Sequence, residues 1–196
     1  VVYNALLNRS LGSPYGIKAV LTLAPVDFYR KKLNGIPLLN VAPYCDGDVS
    51  DLQGVHFYDD VRYNDAADTA PKHSVLIMGA NHNFFNTVWT PGSYIAGGSD
   101  DWFSSADPFC SMSKVGNGRI DTTKQKAALN AYGCAFFRTY VGGDTSFLPI
   151  LEVDDIYPPL SSKLDTTQVY VSYHPGKNKR RDIQTTKKTY FRTRRR

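Results

Sequence analysis

Three stretches of the chain are almost continuously apolar, which indicates strands that are buried on both faces. They cover residues 17–26, 36–42 and 74–79. Residues 1–11 have the pattern of a helix, and residues 51–64 have a weaker helical pattern. Because buried strands that alternate with helical connectors are typical of parallel sheets, the pattern predicts an α/β fold of parallel strands with flanking helices.

A strong amphipathic helix is predicted at residues 123–141. Asp121 or Thr122 can cap its first turn, and Gly142 and Gly143 follow its last turn. One side of this helix is apolar, and its members are Ala128, Ala131, Tyr132, Ala135 and Phe136. The helix is therefore expected to lie against the sheet.

The rest of the chain divides into a loop, a strand and a tail. Residues 89–121 are rich in Gly, Ser, Asp and Pro, and a stretch of that length predicts a lid-like loop. Residues 168–174 alternate between apolar and polar positions, which favours an edge strand. We therefore expect a domain at residues 1–160, followed at 161–196 by the edge strand and a disordered tail.

Charge is distributed unevenly along the chain. Residues 177–196 contain ten Lys or Arg and one Asp, a net charge of +9, whereas residues 1–176 contain thirteen basic and seventeen acidic residues, a net charge of −4. A basic tail can contact an anionic partner, but aromatic residues are not interleaved on a folded face, so nucleic-acid binding is not expected. No apolar run is long enough for a membrane span, and the first ten residues do not resemble a signal peptide.

Charged or titratable side chains follow each of the three predicted strands. Asp27 and Asp46 follow the first and second strands, and His82 follows the third. The carboxyl ends of parallel strands meet at one edge of a sheet, where functional residues collect. An aspartate that holds a histidine in one tautomer would let that histidine act as a general base toward a hydroxyl or thiol nucleophile.

Two segments resemble the acid and histidine loops of α/β-hydrolases. The segment "PLLNVAPYCDGDV" is similar to the acid strand and turn of that family, which implies that Asp46 is the acid and leaves Asp48 as the alternative. The segment "VLIMGANHNFF" is similar to the last strand and the histidine loop, which implies that His82 is the catalytic base. The sequences of the segments "GANHNFFNTVW" and "FFRTYVGG" resemble those of secreted actinobacterial-type hydrolases related to lipases and carboxylesterases. The resemblance covers about residues 1–150.

The nucleophile of that family is missing from this sequence. Family members carry it in a G-x-S-x-G turn, before the acid and the histidine, and no such motif occurs here. The resemblance implies that residues 1–11 form the helix after that turn, so the serine is expected a few residues before Val1. The longer parent would be a secreted carboxylic ester hydrolase, and this chain alone would be an inactive C-terminal part. The alternative is a non-catalytic remnant or binding domain that contacts an anionic partner with its basic tail.

Several further residues bear on substrate and cofactor binding. The aromatic side chains of Phe84, Phe85 and Trp89 could line a pocket for a small-molecule or lipid-like ester, or could pack in the core. The segment "DGDVSD" begins like a calcium loop but lacks the glycine and glutamate that such a loop requires at its sixth and twelfth positions. No metal and no cofactor is therefore expected.

The three cysteines are Cys45, Cys110 and Cys134. A disulfide between Cys110 and Cys134 would fasten the lid-like loop to the strong helix, as suits an exported protein. Cys45 would then stay unpaired or bond to the missing N-terminal part. Three unrelated buried thiols are the alternative interpretation.

Overall fold

The computed structural model describes residues 16–30, 32–49, 51–64, 67–88, 108–110, 118–152 and 167–176. The predicted helix at 1–11, most of the lid-like loop and the basic tail lie outside this part of the chain, as does Trp89.

Within the described residues, the centre of the fold is a four-stranded, mostly parallel sheet in a mixed α/β arrangement. Its strands are β1 (Val20–Leu23), β2 (Leu38–Pro43), β3 (Lys72–Ile77) and β4 (Val169–His174), which lie in the order β1-β2-β3-β4. The pairs β1–β2 and β2–β3 are parallel, and β4 pairs antiparallel with β3 at the edge of the sheet. The predicted α/β class and the predicted edge strand are therefore confirmed.

The bounds of two strands differ from the apolar pattern for identifiable reasons. β1 ends at Leu23 because Ala24 has a φ of +45°, which turns the chain out of the extended conformation. β3 begins earlier than expected because its first two residues, Lys72 and His73, are polar and so do not belong to the apolar run. Their side chains are nevertheless fully buried, with polar partners. Lys72 Nζ lies 2.8 Å from Asp68 Oδ2 and donates to the carbonyl of Ile36, so its charge is compensated.

Three α-helices flank the sheet in the described residues: α1 (His56–Asn64), α2 (Thr122–Tyr140) and the short α3 (Leu148–Leu151). Asp121 is the N-cap of α2, and its carboxylate accepts a hydrogen bond from the backbone N–H of Lys124 at 2.8 Å. The predicted apolar face of α2 is buried against β2, β3 and β4, apart from the partly buried Ala131. No described helix combines the length and the apolar character that crossing a membrane requires.

Two tyrosines on α2 offer a matched test of this packing. Tyr140 Oη is hydrogen-bonded to His73 Nε2 at 2.9 Å, whereas the buried hydroxyl of Tyr132 has no hydrogen-bond partner among the described residues. Tyr132→Phe is expected to raise the free energy of unfolding by about 1 kcal/mol, because it removes an unsatisfied polar group. Tyr140→Phe is expected to lower it by about 1 kcal/mol. Urea unfolding of both variants measures the difference, and a loss of stability in Tyr132→Phe would contradict this packing.

A candidate acid–histidine pair at the carboxyl edge of the sheet

The turns that follow β2 and β3 are tied together by backbone hydrogen bonds. The N–H of Tyr44 donates to the carbonyl of Ile77 at 3.0 Å, and the N–H of Cys45 donates to the carbonyl of Ala80 at 2.8 Å. The hydrogen-bonding pattern of the sheet is thus continued past the ends of the strands. As a result, the next residue of one turn, Asp46, comes close to the histidine of the other.

The carboxylate of Asp46 is buried and held in one orientation by its own turn. Its Oδ1 atom accepts hydrogen bonds from the backbone N–H groups of Asp48 and Val49, at 3.0 and 2.6 Å. The side chain is only 1% exposed. These donors satisfy the buried Oδ1 atom, and they fix the direction in which the second oxygen points.

His82 contacts this carboxylate through one ring nitrogen. Its Nδ1 atom lies 3.1 Å from Asp46 Oδ2 and 3.2 Å from Oδ1, so the predicted contact between the two residues is present. The imidazole is 26% exposed, in contrast to the buried carboxylate. An Nδ1–H that donates to Asp46 leaves Nε2 of the neutral ring as a lone-pair acceptor, which is the state that a general base requires.

Asp48, the alternative acid, lies near the other ring nitrogen. Its Oδ2 atom is 4.0 Å from His82 Nε2, which is too far for a hydrogen bond. Its side chain is 30% exposed, so it is more solvated than Asp46. The geometry therefore favours Asp46 as the residue that would orient the imidazole.

The loop that carries His82 is shaped by Gly79 and Asn81. Gly79 has a φ of +74°, and a Cβ atom at this position would lie 1.9 Å from the carbonyl oxygen of Gly118, so only glycine fits. The side-chain oxygen of Asn81 accepts from the N–H of Phe84 at 2.9 Å, which starts the short 3₁₀ turn Asn83–Phe85. His82 is the residue directly before this turn.

Sequence reasoning missed Gln125, which is fully buried in α2 beside this loop. Its Oε1 atom accepts from the N–H of Asn81 at 2.9 Å, and its Nε2 atom donates to the carbonyl of Asn81 at 2.6 Å. The signal was available, because Gln125 stands on the same helical face as Ala128 and Tyr132. A polar residue on an apolar face is informative, since burial requires that it has partners.

Of the three aromatic residues predicted to bind substrate, two lie in the described part of the chain. Phe85 is partly buried and packs against the main core, which is the structural alternative that the sequence left open. Phe84 is partly buried, and its carbonyl accepts a hydrogen bond from Thr122 Oγ1 at 3.0 Å. Trp89 lies outside the described residues.

The predicted disulfide between Cys110 and Cys134 is wrong. Cys110 is bonded to Cys45, with a Cα–Cα distance of 5.4 Å, and Cys134 is an exposed free thiol. Segment 108–110 lies beside the turn after β2, where the rings of Phe109 and Tyr44 make an edge contact at 5.7 Å. Cys134 faces away from the buried side of α2, so it does not meet this segment.

The disulfide and its neighbours fasten both described parts of the lid-like loop beside the acid–histidine pair. The guanidinium of Arg119 donates to the carbonyl of Cys110 at 2.6 Å. The N–H of Gly118 donates to the carbonyl of Phe109 at 2.8 Å, and the N–H of Ile120 donates to the carbonyl of Gly79 at 3.0 Å. Residues 108–110 and 118–120 therefore lie next to the turns that hold Asp46 and His82.

Within the described ranges, no three His, Cys, Asp or Glu side chains are arranged to hold a metal ion. Comparison of the chain with protein-family models and with curated proteins gave no match.

Proposed function

We propose that this chain is the C-terminal portion of a serine ester hydrolase of the α/β-hydrolase type. Asp46 is the acid and His82 the base of its catalytic triad, and the serine precedes Val1. The observation that supports this best is the contact between His82 Nδ1 and Asp46 Oδ2 at 3.1 Å. It joins the turns after two neighbouring parallel strands, in the acid-then-histidine order of that family.

The geometry supports a two-step acyl transfer. His82 Nε2 accepts the hydroxyl proton of the serine while its Oγ attacks the ester carbonyl, and Asp46 stabilises the imidazolium that forms. His82 then returns the proton to the departing alcohol, which leaves an acyl-enzyme. In the second step, His82 takes a proton from water as the hydroxide attacks the acyl carbonyl. His82 then returns that proton to the serine Oγ as the serine–acyl bond breaks and the acid is released.

Asp46 suits the supporting role better than a direct one. Because its carboxylate is buried and bonded to two backbone N–H groups, it is held in one orientation beside the imidazole and is not itself placed to contact a substrate. The partly exposed imidazole of His82 is the group that can reach a substrate. A small-molecule or lipid-like ester is the substrate class of this proposal.

A secreted location belongs to the same proposal. The disulfide between Cys45 and Cys110 is compatible with an oxidising compartment, where such bonds persist. It lies one residue from Asp46, so an oxidising environment would also keep the acid turn fastened to segment 108–110.

An ester hydrolysis assay tests the proposal. The chain of residues 1–196 and a longer polypeptide, which continues upstream along the same reading frame, are purified and given a short-chain activated ester. Negligible turnover is expected from residues 1–196, because no G-x-S-x-G nucleophile is present, and clear turnover is expected from the longer form. A serine-directed phosphonate should abolish that turnover.

Two results would contradict this expectation. Turnover by residues 1–196 that the phosphonate abolishes would place the nucleophile inside the chain. A longer form that lacks both the motif and turnover would refute the hydrolase proposal, and would favour a non-catalytic remnant or binding domain whose basic tail contacts an anionic partner.

A further inference from the structure

Gln125, on α2, makes two hydrogen bonds to Asn81, the residue before His82. It is fully buried in the first turn of that helix. Its side-chain amide both accepts from the N–H of Asn81 and donates to the carbonyl of Asn81, at 2.9 and 2.6 Å. The amide thus exchanges two hydrogen bonds with the backbone of this one residue, as two directly opposed residues do in a hydrogen-bonded pair of antiparallel strands.

The position of these two hydrogen bonds affects the direction in which the imidazole of His82 projects. The carbonyl of Asn81 belongs to the peptide bond that joins Asn81 to His82, and peptide bonds are planar. A donor that holds this carbonyl fixes the plane from which the His82 backbone, and hence its side chain, projects. Glutamine fits the position because it supplies a donor and an acceptor on one planar group.

Other contacts from the same part of the chain hold the loop further from His82. The N–H of Ile120 donates to the carbonyl of Gly79, and Thr122 Oγ1 donates to the carbonyl of Phe84. Ile120 and the first residue of α2 therefore hold the loop on both sides of the histidine. Of these three sets of contacts between described residues, those of Gln125 reach the peptide bond that adjoins His82, so the loss of Gln125 should affect the direction of the ring more than the loss of the other two.

We propose that Gln125 is a positioning residue that directs the His82 ring toward Asp46. Its catalytic meaning rests on the proposed function, but the positioning itself can be measured in the chain of residues 1–196 without a substrate. The hydrogen bond between His82 Nδ1 and Asp46 Oδ2, at 3.1 Å, is the quantity that Gln125 is expected to control.

Two substitutions separate the contributions of the amide. Gln125→Glu keeps the size of the side chain but replaces the donor to the Asn81 carbonyl by a second acceptor. Gln125→Met keeps a similar volume and removes both the donor and the acceptor. Tyr140→Phe is the control, because it removes a partly buried hydrogen bond from the same helix, and this bond is made to His73 and not to the loop.

Proton NMR of histidine-labelled chain is the test. The wild type should show a hydrogen-bonded, downfield Nδ1 proton on His82. Exchange of this proton with water should be about tenfold faster in both Gln125 variants, as the loss of buried hydrogen bonds implies, and unchanged in Tyr140→Phe. In Gln125→Glu, the rate relative to wild type at the same pH should recover as the introduced carboxyl becomes protonated and regains a donor.

The possible outcomes distinguish this inference from the proposed function. If folded Gln125→Glu and Gln125→Met keep the wild-type exchange rate, Gln125 does not position His82, although the hydrolase proposal stands. If the methionine variant does not fold, the isosteric glutamate variant makes the same comparison. A wild-type chain without a bonded Nδ1 proton would contradict the acid–histidine pair itself, and with it both proposals.

Discussion

Asp46→Asn is expected to lower kcat of the longer, nucleophile-bearing form by about 10³- to 10⁴-fold, with little change in KM. The amide of asparagine can present an N–H to Nδ1 of His82, which favours the tautomer with the proton on Nε2. That tautomer cannot accept the serine proton. Steady-state kinetics with an activated ester measures the effect.

Asp48→Asn is the matched control for this substitution. Asp48 Oδ2 lies 4.0 Å from His82 Nε2 and makes no hydrogen bond to it, so its neutralisation should change kcat by less than about tenfold. If Asp48→Asn were as damaging as Asp46→Asn, the acid would be wrongly assigned. Equal, small effects of both substitutions would argue against a carboxylate-assisted histidine altogether.

Removal of the disulfide is the second change with a large expected effect. The bond joins residues that are 65 positions apart, so it restricts the unfolded chain strongly. The double variant Cys45→Ala/Cys110→Ala is expected to lose about 4 kcal/mol of the free energy of unfolding, on the loop-entropy relation. Denaturant unfolding of the oxidised wild type and the variant measures this loss.

Cys134→Ala is the control for the disulfide. Because Cys134 is exposed and unpaired, its substitution should change the free energy of unfolding by no more than about 0.5 kcal/mol. Peptide mapping without reduction should yield a peptide that links Cys45 to Cys110. A linked Cys110–Cys134 peptide, or a destabilised Cys134→Ala variant, would contradict the observed pairing.

The centre of the sheet was predictable from the sequence because β2 and most of β3 are buried on both faces. β2 is buried along its whole length, so its apolar run predicts a buried strand without reference to the rest of the chain. The start of β3 could not be found in this way. Whether Lys72 and His73 can be buried depends on Asp68, Leu151 and Tyr140, and the last two are far away in sequence.

The same distinction applies to the site. Asp46 and His82 were predicted because each lies in the turn after an apolar strand, and neighbouring parallel strands bring these turns together. The disulfide pairing could not be predicted, because it depends on the path of segment 108–110, and no periodic sequence pattern indicates that path. The role of Gln125 depended on how α2 is rotated against the loop after β3, which the sequence shows only as a polar residue on an apolar face.

The rate of fluorophosphonate labelling of the longer polypeptide, with and without His82→Ala, most directly tests whether His82 activates a serine. The proposed role of His82 predicts that the label attaches to one serine in a G-x-S-x-G turn before Val1, and that His82→Ala slows labelling by about 10³-fold or more. Labelling that is unaffected by His82→Ala, or a label on a residue of the chain 1–196, would contradict it.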